Sequence, residues 1–307
     1  MIALRPALLA FLLVVSGLPL SVSAGAAEVS TPFHGLTLLG NLELADGKTA
    51  KDGVALIVHG TLAHARMETI ASLQANLKER HLSSLAITLS LGEDRRTGFF
   101  DCGKLQTHRP YDALDEIAAW IGWLKGQGVP GITLIGHSQG GNQAAVYAVE
   151  RHDPDVTGLV LLAPATFDFG KTAQAYQARY GAPLQPLLDK AEALVRAGRG
   201  AAPLGRVGFL NCPDAAVTAD SFVAWYAAEP RRDTPRILPR VAVRTLVIVA
   251  GADEVVPDLA AEAKALPRPA SAGQGEITVR TVEGSGHFFR DLYNEDAADL
   301  IAAWTKG

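Results

Sequence analysis

Three side chains in this sequence carry the residue types needed for nucleophilic acyl transfer. Ser138 lies in Gly136-His137-Ser138-Gln139-Gly140-Gly141. A serine hydroxyl is a poor nucleophile until a base takes its proton, and His287, in Glu283-Gly284-Ser285-Gly286-His287-Phe288-Phe289, is the histidine placed to do so. Asp253, in Val249-Ala250-Gly251-Ala252-Asp253-Glu254-Val255-Val256-Pro257, is the carboxylate expected to orient the imidazole and stabilise its charged form, with Glu254 and Asp258 as neighbouring competitors. The chain order is therefore Ser138, Asp253, His287. The oxyanion that forms when a carbonyl is attacked needs N–H donors, and the amides of Thr61 and Gln139 are the candidates, with Leu62 as an alternative to Thr61. His59 is read as a brace for the loop holding Thr61. His64 either lines the pocket or faces solvent.

These residues need particular elements around them. Ile132-Thr133-Leu134-Ile135 is a short buried strand leading directly into the serine segment, and Gln139 to Arg151 is helical. A serine in so tight a strand-to-helix turn requires small residues two positions before and after it, which Gly136 and Gly140 supply. Val54 to Val58 and Leu85 to Leu91 read as further buried strands, as do Gly158 to Leu162, Thr245 to Val249 and Ile277 to Val282. Gly35 to Ala45 alternates like an edge strand. Met67 to Arg80, Tyr111 to Lys125 and Asp291 to Trp304 have helical spacing. This alternation predicts an α/β fold with a doubly wound, mostly parallel sheet. Between about residues 165 and 243 the alternation stops, and helical patterns at Leu187 to Ala197 and Ser221 to Ala228 predict an inserted helical cap. Its aromatic residues, Phe167, Phe169, Tyr176, Tyr180, Phe222, Trp225 and Tyr226, either line an acyl pocket or pack, as do Leu62, Phe99, Phe100, Phe288 and Phe289 in the core loops. The loop around Phe99 to Arg109, with Arg95, Arg96, Asp101, His108 and Arg109, either carries ordinary exposed charges, the default reading, or grips an anionic group instead.

The first 27 residues read as a cleaved secretory signal: Arg5, an apolar run from Ala7 to Val15 too short to span a bilayer, and small residues from Ser21 to Ala27, with cleavage after Ala24 or Ala27. Residues 28–307 then form the mature domain, periplasmic or secreted, with no integral membrane segment. The whole chain has 307 residues, 48% hydrophobic and 20% charged, enough for one large core rather than a scaffold stapled by metals or disulfides. Loss of Arg5 leaves 27 basic against 32 acidic residues, without long blocks of one sign, which argues against a nucleic-acid partner. No metal-ligand spacing or phosphate loop is present, so no cofactor is expected. Cys102 and Cys212 either form a disulfide, worth on the order of 4 kcal/mol in the chain-entropy model, or remain two thiols.

From about Phe33 to Trp304 the arrangement resembles the α/β-hydrolase family. The resemblance rests on His59-Gly60 after one strand, Gly136-His137-Ser138-Gln139-Gly140 between strand and helix, Asp253 after a later strand, His287 near the end, and the insertion after the sixth strand. It implies an eight-stranded sheet and hydrolysis through an acyl-enzyme, with a small ester or other acyl compound as substrate. Thr61 and Leu62 stand where the lipase and esterase branch has its extra glycines. An uncharged or weakly charged carboxylic ester is the expected substrate; a peptidase or amidase, a lyase or perhydrolase of the same fold, and a non-catalytic binding module are the alternatives.

Overall fold

The computed structural model describes residues 26–306. The expected signal segment lies outside the described residues except for its last two positions, and Ala27 opens the first strand. The chain runs through β1 (Ala27–Phe33), β2 (Leu36–Glu43), β3 (Ala55–Val58), α1 (Glu68–Glu79), β4 (Ser84–Thr88), α2 (Ala113–Gly126), β5 (Ile132–His137), α3 (Gln139–Arg151) and β6 (Val156–Leu162). It continues through α4 (Phe169–Tyr180), α5 (Leu184–Arg196), β7 (Pro203–Phe209), β8 (Cys212–Thr218), α6 (Ala219–Tyr226) and the short α7 (Thr234–Ile237). The last elements are β9 (Arg244–Ala250), the short α8 (Leu259–Glu262), β10 (Ile277–Val282) and α9 (Leu292–Lys306).

Eight strands form one sheet in the order β1-β2-β4-β3-β5-β6-β9-β10. β1 and β2 pair antiparallel, as do β2 and β4, and every pair from β4 to β10 is parallel. The central strands are continuous apolar runs because both of their faces are covered: Leu56, Ile57 and Val58 are fully buried, as are Leu159 to Leu162. From β3 the chain steps to β4 on one side, then back past β3 to β5. Right-handed crossovers therefore place α1 and the pair α2 and α3 on opposite faces. At this reversal the carboxyl ends of β3 and β5 open a crevice, the usual place for a ligand in such sheets. Among the described residues no helix is long and apolar enough to cross a membrane.

The insertion expected after β6 is helical, and it also carries a hairpin that the sequence reading did not anticipate. After β6 the insertion holds α4, α5 and α6, but also the antiparallel hairpin β7–β8, turned by Leu210 at φ 55°. Its strands were hidden because Pro203, Gly205, Gly208 and Pro213 make the segment read as loop, and its buried residues, Leu204, Phe209, Ala215 and Val217, follow no regular alternation along β7. The cap has its own core, in which Tyr176, Phe209, Phe222, Trp225 and Tyr226 pack ring against ring. β1 was also missed, since its mixed residues lie at the edge of the stretch read as signal.

Cys102 and Cys212 form a disulfide with Cα atoms 5.5 Å apart, joining the loop after β4 to β8 across 110 residues of sequence. His108 strengthens the same junction: its Nδ1 accepts from Trp225 Nε1 at 3.3 Å, and its ring packs among Phe100, Phe209 and Trp225. Closing so long a loop restrains the unfolded chain by about 4–5 kcal/mol in the entropy model. Replacing both cysteines with serine is expected to lower Tm by roughly 10 °C, measured by calorimetry; an unchanged Tm would show that the bridge adds nothing.

Three buried histidines make the fold acid-sensitive. Burial, reinforced by Arg96, pushes His59 down to about 3 and His108 to about 4, and burial with the neighbouring His287 pushes His137 to about 4. The unfolded chain therefore binds more protons than the folded one from about pH 6.5 downward, and stability falls with pH across that window. Tm is expected to drop steeply between pH 6.5 and pH 4; a flat Tm there would contradict the burial of neutral imidazoles.

Candidate active site

Three stretches of backbone cross where the site forms. A Cβ on Gly136 would lie 2.3 Å from the carbonyl oxygen of Gly140, and a Cβ on Gly140 would lie 2.3 Å from that of His59. Neither position can carry a side chain, so β5 passes into α3 directly against the end of β3. Ser138 takes the strain, at φ 56° and ψ −123°. It is fixed there by its N–H to the Leu162 carbonyl at 2.9 Å and by its own carbonyl, which accepts from Gly141 and Ala165.

This turn brings together the three side chains named from the sequence. Ser138 Oγ lies 2.8 Å from His287 Nε2, and His287 Nδ1 lies 2.8 Å from Asp253 Oδ2. The carboxylate only accepts, so Nδ1 carries the proton and Nε2 is left to accept from the serine hydroxyl. Asp253 Oδ1 accepts from the amides of Val255 and Val256, both at 2.8 Å. Burial alone would raise the Asp253 carboxyl, but the His287 bond and these amides outweigh it and hold the pKa below the ordinary aspartate value. The competitors are engaged elsewhere: Glu254 accepts from the His287 backbone N–H at 3.3 Å, and Asp258 pairs with Lys171 of α4 at 2.7 Å.

The His287 loop is held by two residues that the sequence did not single out. His137 Nε2 donates to the His287 carbonyl at 2.9 Å, and Thr69 Oγ1 donates to the Phe288 carbonyl at 2.9 Å. His137 was visible only as a letter inside the serine motif. Nothing in the sequence separation of about 150 residues signals its contact.

The loop after β3 approaches equally closely, since a Cβ on Gly60 would lie 3.3 Å from Ser138 Cβ. The Gly60 carbonyl accepts from His59 Nδ1 at 2.8 Å and from the Ala63 amide at 3.2 Å. In a trans peptide the next N–H points the opposite way, so pinning this carbonyl also fixes the direction of the Thr61 amide. That amide makes no hydrogen bond among the described residues, and Thr61 lines the cavity above Ser138. The Gln139 amide opens α3, where a helix leaves its N–H groups unpaired and favours negative charge. Leu62, the alternative donor, sits at φ 57° with its side chain in the cap core.

His59 is the brace expected of it. Its Nε2 accepts from the Leu89 amide at 3.1 Å and lies 3.2 Å from Arg96 Nη2. Arg96 is buried, and its guanidinium donates to the carbonyls of Ala63 at 2.6 Å, Leu89 at 2.7 Å and Gly98 at 2.5 Å. Burial pushes its pKa down to about 10, still a cation at neutral pH. The basic loop thus does not present Arg96 to a ligand, while Arg109 pairs with Asp220 and Asp101 caps Gly103. His64 is half-buried, with its ring edge-on to Phe99.

A cavity of about 560 Å³ lies over Ser138 and His287 and is walled by Thr61 and the exposed Phe99, Val255 and Phe288. Most of the cap aromatics instead pack within the cap core. A larger depression of about 750 Å³, between β9, β10 and α9, contains none of these residues.

The sequence matches the family model described as "Alpha/beta hydrolase family" over residues 55–304. No curated protein matches it. Among solved structures, it is similar to Est1E from Butyrivibrio proteoclasticus with bound ferulic acid, at TM-score 0.63 and 18% identity over 90% of this chain and 97% of that one. It is similar to a monoacylglycerol lipase of Paleococcus ferrophilus, at TM-score 0.59 and 18% identity over 87% and 97%. It is also similar to an E-2-(acetamidomethylene)succinate hydrolase, at TM-score 0.57 and 18% identity over 92% and 100%. The eight-stranded sheet, the insertion after β6 and the family match lead to one conclusion: this chain belongs to the alpha/beta hydrolase family.

Proposed function

We propose that the protein is an exported serine hydrolase that cleaves carboxylic esters, and thioesters of similar shape, through an acyl-enzyme on Ser138. The observation that carries this reading is the unbroken Ser138–His287–Asp253 hydrogen-bond chain, 2.8 Å at each link, opening on a cavity. In the first half-reaction His287 Nε2 takes the hydroxyl proton as Ser138 Oγ attacks the carbonyl carbon. The Thr61 and Gln139 amides hold the resulting oxyanion, and Asp253 stabilises the imidazolium. That imidazolium then protonates the departing alcohol or thiol, leaving the acyl-enzyme. Water, deprotonated by His287, repeats the attack and releases the acid. Each oxyanion donor is worth about 10²–10³ in rate and the acid–base pair about 10²–10⁴, so the loop after β3 matters as much as the base.

Export is part of the same proposal: residues 1–27 are read as the removed signal, and the protein as periplasmic or secreted. The Cys102–Cys212 bridge supports this, because such disulfides persist in oxidising compartments.

Hydrolysis of 4-nitrophenyl esters from acetyl to palmitoyl tests the reading. The mature protein is expected to turn over part of the series, and Ser138→Ala to lower kcat by at least about 10⁴-fold. A folded wild type as inert as the mutant would overturn it. Because His287 must be neutral to accept the serine proton, kcat/KM is expected to rise with pH on the acid limb; a profile that stays level from about pH 5 to 8 would remove His287 from the role of base.

A further inference from the structure

The cavity over Ser138 carries an uneven charge. Three ionised side chains line it in addition to the groups already described: Arg179 from α4 of the cap, Arg290 from the loop after β10, and Glu68 from the start of α1. Arg290 has a carboxylate beside it, its Nε lying 3.9 Å from Glu68 Oε2. Arg179 has no carboxylate within ion-pairing distance among the described residues. Lys171, at the other end of the same helix, is paired with Asp258, so the unneutralised charge on α4 is at the cavity.

Arg179 is also anchored. Its Nη1 donates to the Leu210 carbonyl at 2.9 Å and to Asn211 Oδ1 at 3.3 Å, two neutral acceptors in the turn of the β7–β8 hairpin. One nitrogen is therefore occupied in holding the side chain, the Tyr180 hydroxyl is a further polar neighbour, and no carboxylate among the described residues takes the remaining guanidinium donors. A guanidinium held at one nitrogen, though its side chain is exposed, gives up part of its rotamer freedom before any ligand arrives, and the N–H groups on its open side match the two oxygens of a carboxylate. The exposed rings of Phe99 and Phe288 on the same cavity offer a surface for an apolar or aromatic body.

We infer that Arg179 is the receptor for a carboxylate carried by the substrate, so that the preferred esters are amphiphilic: an apolar body along Phe99 and Phe288, and a negative group reaching the cap. One uncompensated guanidinium suits a singly charged carboxylate better than a phosphate dianion. This deepens the hydrolase reading and rests on it. It narrows the expectation of an uncharged or weakly charged ester toward a singly charged one, because Arg179 and Ser138 line one cavity.

Two matched pairs of esters test the inference. 4-Nitrophenyl hydrogen adipate and 4-nitrophenyl hexanoate differ by a carboxylate at the end of the acyl chain; 4-carboxyphenyl acetate and phenyl acetate differ by one on the leaving group. The measured quantity is the ratio of kcat/KM, charged over neutral, for wild type, Arg179→Gln and Arg179→Lys. In at least one pair the wild-type ratio is expected to exceed one, to fall about 10-fold in Arg179→Gln mainly through KM, and to be partly retained in Arg179→Lys. High salt should reduce the wild-type ratio, as screening requires. Ratios that are the same in wild type and Arg179→Gln for both pairs would overturn the inference while leaving the hydrolase intact. Failure of folded wild type to cleave any of the four would overturn the hydrolase reading itself, and this one with it.

Discussion

No side chain fits where the end of β5, the first turn of α3 and the end of β3 meet. With Gly136 and Gly140 barred from carrying a Cβ, and Gly60 pressed against Ser138, the three segments approach to backbone contact. Much else follows from that approach. Ser138 is lifted into a strained conformation at the carboxyl edge of the sheet, the Thr61 amide is brought to the cavity beside it, and the Gln139 amide becomes the first N–H of a helix. The reversal of strand order at β3 places this crossing at the crevice of the sheet, where the loops after β9 and β10 deliver Asp253 and His287.

Around the crossing, the structure holds its polar groups by neutral or backbone partners rather than by buried ion pairs. Arg96 is a buried cation whose donors go to loop carbonyls, and His59 and His137 are buried imidazoles kept neutral by desolvation. A moved loop would leave these groups unpaired in a dry interior, at a cost of about 1–3 kcal/mol for a neutral group and more for the cation. The site is therefore stiff on its core side. The cap, with its own aromatic core, is fastened to that side by the Cys102–Cys212 bridge and by His108.

The parts of the fold legible in the sequence were those dictated by burial on two sides. β3, β6 and β9 each hold four or more consecutive apolar residues, and β5 is mostly apolar with Thr133 in its run, because parallel central strands are covered on both faces; α1 and α2 show one apolar face because the other is wet. Ser138, Asp253 and His287 were legible because each follows a strand end in a short segment of glycines or turn residues. The β7–β8 hairpin was not, since its few buried positions are separated by glycine and proline. Contacts between distant segments left no local trace: His137 on the His287 carbonyl, Arg96 on the loop after β3, and Arg179 on the cavity are consequences of packing. The pairing of the two cysteines likewise required knowing that β8 lies against the loop after β4.

The central claim is that Ser138 is a nucleophile activated by His287 within a preformed oxyanion site. Treatment of the mature protein with a fluorophosphonate, followed by peptide mass spectrometry, tests it without any assumption about the natural substrate. The account predicts one adduct per chain, on the peptide containing Ser138, and slow or absent labelling in His287→Ala. An unlabelled protein, or an adduct on another residue, would contradict it.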